Sequence, residues 1–209
     1  MKFIFAVIAA GVVAALGFRI LRAASTKVFA PNATAAARLS YMASCQRLQE
    51  KGLLPPGDLP PMPPRMPRFD DDPVHLSFFR TNVTGEHLDN MTLPRTFFGR
   101  SSVSGTSFCN TDLSESVLCW NDFDTIDFSA ADLSGSDLRA ANFRNCDFSQ
   151  ADLSRSDLRQ SSFDRCRFAG AVLTGAKLTN GQVALLRLSS EQRSGVAFQA
   201  DDGPEPGGG

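Results

Sequence analysis

Two histidines, His75 and His87, and five cysteines are the side chains here best suited to metal ligation, general-base work or nucleophilic attack. Neither histidine sits in a Cys, Asp or Glu pattern with metal-ligand spacing. No glycine-rich phosphate loop and no nucleophile elbow occurs. The aspartates are numerous, but they recur at a fixed interval and so need no catalytic explanation. These residues therefore predict no catalytic site, no metal, no cofactor and no small-molecule substrate. Cys146 and Cys166 lie 20 positions apart. They read either as a disulfide pair or as two small core residues, the second being preferred. Cys45, Cys109 and Cys119 have no evident mates, which favours a reducing compartment.

What positions these residues is a period of five. Leu93, Phe98, Val103, Phe108, Leu113, Leu118, Phe123, Phe128, Leu133, Leu138, Phe143, Phe148, Leu153, Leu158, Phe163, Phe168, Leu173 and Leu178 follow one another at that spacing without a slip. A helix would place apolar residues about every 3.6 positions and a strand every second. Five fits a chain that turns a corner every five residues and sends one large side chain inward per side. Two positions earlier the residue is small: Thr111, Ser116, Ala131, Ser136, Ala141, Cys146, Ala151, Ser156. Such residues fit beside a Leu or Phe at native packing density. The residue just before each centre is polar and often Asp, and is expected to face water.

Units such as Ala131-Asp132-Leu133-Ser134-Gly135 and Ala151-Asp152-Leu153-Ser154-Arg155 resemble the A(D/N)LXX motif of the pentapeptide-repeat family. The resemblance spans residues 91–178. It implies an all-β solenoid, a right-handed quadrilateral β-helix with four repeats per coil. The residues support four sides independently. From Phe108 the centres read Phe, Leu, Leu, Phe and then repeat, a larger period of 20. Phe then stacks on Phe and Leu on Leu. About 4–5 coils at strand spacing make a rod roughly 20 Å long. Such a stack needs caps at both ends. Phe78, Val83 and Leu88 keep the same register, so the coil is expected to begin before residue 91.

The flanks divide the chain further. Residues 1–22 are expected to be a membrane anchor or signal segment, because Phe3–Phe18 is apolar between Lys2 and Arg19. Arg19, Arg22 and Lys27 follow, and no acid appears before Glu50, which places that flank in the cytoplasm by the positive-inside rule. An uncleaved apolar helix through residues 3–21 is the preferred reading; an exported, periplasmic protein is the rival. Residues 23–52 hold a short helix over 33–51, capped by Asn32 or Thr34. Residues 53–75 carry Pro55, Pro56, Pro60, Pro61, Pro63, Pro64 and Pro67, and read as a stiff linker. A strand is expected over Val74–Arg80. The repeat domain runs over 76–179. Residues 180–209 are expected to form a C-terminal cap, with a short helix at 180–188, another turn capped by Ser189 or Ser190, a strand at 196–198, and a Gly- and Pro-rich tail.

Net charge is −1, so no global field attracts nucleic acid. The charge is polarised all the same. Asp112, Glu115, Asp122, Asp124, Asp127, Asp132 and Asp137 precede Leu138 with no base after Ser101, whereas Arg139, Arg144, Arg155, Arg159, Arg165, Arg167 and Lys177 follow. Asp124, Arg144 and Asp164 stack one coil apart as an alternating ladder. On the side of Leu118 and Leu138, the outward residues Phe97, Val117, Cys119 and Trp120 make an apolar patch beside Arg139 and Arg159. This is the candidate interaction surface, covered either by residues 33–54 or 74–80 of the chain itself or by a foreign protein. The expected function is a non-enzymatic, membrane-tethered interaction scaffold with an unknown protein partner. The family resemblance also implies an alternative, a DNA-mimicking protector of a type II topoisomerase.

Overall fold

The computed structural model describes residues 34–67 and 76–199; the expected anchor, residues 1–22, lies outside them. Among the described residues no helix is long and apolar enough to cross a membrane. The chain runs through α1 (Ala35–Glu50), β1 (Asn82–Thr84), β2 (Ser102–Ser104), β3 (Asp122–Asp124), β4 (Asn142–Arg144), β5 (Ser162–Asp164), β6 (Lys177–Thr179), α2 (Asn180–Leu185), α3 (Ser190–Gly195) and β7 (Ala197–Gln199).

The middle is a parallel β-helix with four sides. Strands β1 to β5 stack in sequence order, each 20 residues after the last, as in Val83 on Val103 and Phe123 on Phe143. The other three sides are single parallel bridges with the same offset: Ser107 to Asp127, Asp112 to Asp132, and Val117 to Asp137. Corners are turned in the left-handed region, as at Asn110 (φ 56°) and Gly135 (φ 67°). Asn and Gly suit that region because it costs them least.

Every centre from Phe78 to Leu158 is buried, so the coil does begin ahead of residue 91. Its interior is filled by its own side chains. Phe123, Phe143 and Phe163 stack at 5.0 and 5.3 Å, and Phe128, Phe148 and Phe168 at 5.0 and 5.0 Å. Rings in adjacent columns meet edge to face, as Phe143 does with Phe148 at 5.3 Å. The small inward residues bond back to the coil below. Thr111 Oγ1 donates to the Leu88 carbonyl at 2.6 Å and Ser136 Oγ to that of Leu113 at 2.9 Å. A buried hydroxyl thus finds an acceptor and its desolvation cost is offset. Cys146 and Cys166 occupy the same slot, and all five cysteines are free thiols. Cys146 is pushed up by its hydrogen bond to Cys166 and by burial, and the same bond lowers Cys166.

Both ends are capped by side chains standing in for the missing coil. At the first end α1, capped by Thr34, sets Leu48 into the main core. Ser44 Oγ accepts the Thr92 N–H at 2.8 Å, while Arg47 donates to the Asp89 carbonyl at 3.3 Å. At the other end α2 and α3 both begin with capping boxes. Their glutamines continue downward. Gln182 Nε2 donates to the Leu158 and Ser161 carbonyls at 2.7 and 2.8 Å, and Gln192 Nε2 to those of Phe168 and Ala171 at 2.7 and 2.9 Å.

Two expectations are corrected. The Pro-rich stretch, read as a free spacer, folds back on the protein up to residue 67. Pro61 accepts from Tyr41 Oη, Pro63 from Arg95 at 2.8 Å, and Met62 joins the buried cluster of Tyr41 and Cys45. Its prolines fix the backbone, but Leu54, Leu59, Met62 and Met66 give it an apolar side that composition hides. Second, the strand expected over Val74–Arg80 is, from residue 76 on, only a single bridge at Ser77 followed by a turn. Sides of five residues leave no room for a strand of seven.

Candidate interaction surface

The side that carries the expected patch stacks Ser77, Phe97, Val117, Asp137, Asp157 and Lys177 as outward residues. Phe97, Val117 and Cys119 point away from the coil yet are buried, because Met66 and Phe79 pack over them. Gly99 makes room: a methyl group there would lie 2.3 Å from Phe97 Cε1. Burial pushes the Cys119 thiol up to about 11. Of the patch's apolar members, three are thus an internal contact. Phe79 lies within one of the two covering segments considered from the sequence, whereas Met66 comes from the stretch read as linker.

Trp120 is the exception. It is 65 % exposed and stands at a corner with φ 54°. Above it the surface turns polar. Arg139 pairs with Asp137 at 2.8 Å and reaches Asp157 at 4.0 Å, and Arg159 pairs with Asp157 at 2.9 Å. The Asp137 hydrogen bond raises Arg139. Burial pushes Asp157 up, but the bonds from Arg159 and the charges of Arg159 and Lys177 outweigh it and hold the carboxyl below its usual range. Arg139 and Arg159 are therefore engaged with carboxylates of their own face. Asp124, Arg144 and Asp164 do lie in register. Among the described residues, however, Arg144 makes no ion pair with either. Asp164 pairs with Arg165 at 3.1 Å, and Asp124 accepts from Asn145 at 3.1 Å. Asp164 is met by the corner residue next to it in sequence and Asp124 by the corner residue one coil on, in place of Arg144.

No group of His, Cys, Asp and Glu among the described residues is placed to hold a metal ion. His87 is exposed beside Asp89, 3.7 Å away. His75 lies outside the described residues. The aspartates serve the corners: Asp127, Asp132, Asp147 and Asp152 each accept the backbone N–H two residues on, at 2.8 to 2.9 Å. A groove of about 1060 Å³ opens beside the last coil, lined by Phe163, Arg165, Arg167, Phe168, Leu185 and Arg187 among others. It follows from β5 being the outer strand of its sheet, since α2 replaces the next one.

A four-sided parallel solenoid built from five-residue sides is the class of protein this geometry defines. Residues 122–160 and 151–183 match the family model described as pentapeptide repeats, in 8 copies. Residues 122–183 thus carry repeats of the pentapeptide-repeat family. Among solved structures, a pentapeptide repeat protein from the Arabidopsis thaliana thylakoid lumen is similar at 25 % identity, over 54 % of this chain and 72 % of that one, with a TM-score of 0.30. One from the cyanobacterium Cyanothece 51142 is similar at 17 % identity, over 46 % and 82 %, with a TM-score of 0.27. QnrB1, a plasmid-mediated fluoroquinolone resistance protein, shares 15 % identity over 60 % and 92 %, with a TM-score of 0.25. No curated relative matches the sequence.

Proposed function

We propose that the protein is a non-enzymatic interaction scaffold, held at a membrane by residues 3–21 with its repeat domain on the cytoplasmic side. The observation that carries this reading is the filled interior. Phe and Leu stacks leave the coil no internal cavity for chemistry, so what it offers are flat outer sides. The apolar run Phe3–Phe18, followed by Arg19, Arg22 and Lys27, supports the tether and its orientation. Asp112, Asp132 and Asp152 line one side in register and fit a protein partner with a basic contact surface. The folded-back Pro-rich stretch changes one part of the sequence reading: it braces the first coils instead of holding them off the bilayer.

The test is fractionation. The full chain is expected to resist carbonate extraction from membranes, and Ile8→Lys to release it. Protease added to intact cells should leave the repeats uncut, whereas cleavage would favour export. A photo-reactive residue at Ala130, an exposed corner, should yield a protein adduct. A mature N-terminus near residue 18, or a wild-type chain found wholly in the soluble fraction, overturns the tether. Topoisomerase protection is the weaker reading, because Arg144, Arg155, Arg165 and Arg167 interrupt the acidic surface in the last coils. A gyrase supercoiling assay with the full chain separates the two.

A further inference from the structure

Among the described residues, nothing in the packing calls for a tryptophan at position 120. It occupies a left-handed corner position, which disfavours a bulky side chain, and it leaves most of its ring in water. The same corner, one coil and two coils below, carries Arg100 (φ 51°) and Arg80 (φ 52°). Coil-to-coil hydrogen bonds fix the column: Arg80 N–H donates to the Gly99 carbonyl at 2.9 Å and Trp120 N–H to that of Arg139 at 3.2 Å. At strand spacing the three corners span about 10 Å. Arg80 and Arg100 are both exposed. Among the described residues neither meets a carboxylate within ion-pair distance, unlike Arg139 and Arg159 on the adjoining side. Arg80 instead lies over the Phe79 ring, 5.0 Å from its centre.

We infer that Arg80, Arg100 and Trp120 form a corner that contacts the anionic headgroup layer of a lipid bilayer. The inference rests on the tethered reading above. An amphipathic indole settles at the boundary between headgroups and acyl chains, and guanidinium groups bond phosphate oxygens. Placement agrees. The chain enters α1 directly after residue 33, and α1 packs on the first coil through Ser44, Arg47 and Lys51. Arg80 and Arg100 belong to the first two coils, at that same end. A tether there presents the bilayer to the corner at high effective concentration, so a contact too weak to recruit the protein alone suffices to orient it.

Trp120 is the only tryptophan in the protein, so its fluorescence reports the corner directly. The full chain is reconstituted into pure phosphatidylcholine vesicles and into mixed phosphatidylcholine–phosphatidylglycerol vesicles. Co-flotation with both kinds tests the tether. Emission then tests the corner. A blue shift and quenching by headgroup-proximal brominated lipid are expected only with the anionic vesicles, and are expected to vanish in R80Q/R100Q while co-flotation persists. Unchanged emission in chains that float with anionic vesicles overturns the corner contact and leaves the tether standing; a photo-adduct to protein from position 120 would then identify a protein site. Failure to float with pure phosphatidylcholine overturns the tether. If such a chain still floats with anionic vesicles, and R80Q/R100Q abolishes that, the corner contact survives alone; if it floats with neither, both readings fall.

Discussion

Phe143→Ala probes the stacked interior at its centre. Phe143 is fully buried, with Phe123 5.0 Å below, Phe163 5.3 Å above, and Phe128 and Phe148 edge-on at 6.4 and 5.3 Å. Removing a buried Phe costs about 3–5 kcal/mol, combining lost transfer energy with the cavity left behind. Coils above and below hold the cavity open, because hydrogen bonds such as that from the Asn142 N–H to the Asn121 carbonyl at 2.8 Å set their spacing. The upper part of the range applies. The melting temperature should fall on the order of 10–20 °C, measured by circular dichroism at the strand band. Phe163 supplies the control. It belongs to the last Phe layer of its column, has no ring above it and is only partly buried. Phe163→Ala should cost about half as much, because solvent can enter and its neighbours can relax. Equal losses at the two positions, or a loss under about 1 kcal/mol at Phe143, would refute a closed stack with distinct middle and end layers.

Other expectations concern the caps, the carboxylates and the patch. Gln182→Ala removes hydrogen bonds to the Leu158 and Ser161 carbonyls and from the Thr179 N–H; it should cost about 1–3 kcal/mol and speed amide exchange in the last coil before the first. Burial raises Asp112, and the charge of Asp132 adds to it, against lowering bonds from Ser114. A carboxyl with a raised folded value binds its proton more tightly in the folded state, so stability falls as pH rises from the unfolded value to the folded one. Asp112→Asn keeps an acceptor for Ser114 and should raise the melting temperature at pH 7, the gain fading as pH falls through the raised folded value and gone below about 4, read from paired melts. Trp120→Ala should change stability by less than about 0.5 kcal/mol, whereas Phe97→Ala, beneath Met66 and Phe79, should cost roughly 2–4 kcal/mol in denaturant titration.

The coil was legible because its signal is local and repeated. Each centre tests the same rule, so Phe78 and Val83 could be placed in register despite imperfect flanking residues. The end helices were legible for a related reason: the apolar residues Val183, Leu185, Leu186 and Leu188, and a capping serine at 189 or 190, are short-range signals. The packing of residues 53–67 was not, because composition reports what prolines do to a backbone and nothing about what Met62 and Met66 touch. The candidate patch suffered from the same blindness. Phe97, Val117 and Cys119 read as outward apolar residues; of their cover, Phe79 falls in a segment expected to supply it, whereas Met66 comes from one whose composition pointed elsewhere. Gly99, which admits the Phe97 ring, carries no sequence signal apart from being a glycine beside an outward aromatic. Arg80 and Arg100 carry no repeat signal, because corners accept many residue types where side centres demand a large apolar one.

The amides of Gln182 and Gln192 grasp carbonyls lying one full circuit beneath them. That grip asks nothing of the number of turns below, so growth of the molecule and the finishing of its end are separate problems. Rods of this design can change size only in whole steps of a single lap, since any fraction would present the lid with the wrong wall. Duplicating one lap after Trp120 and before α2 would yield a taller rod under the same two lids, with the corner at Trp120 kept at its present height above α1.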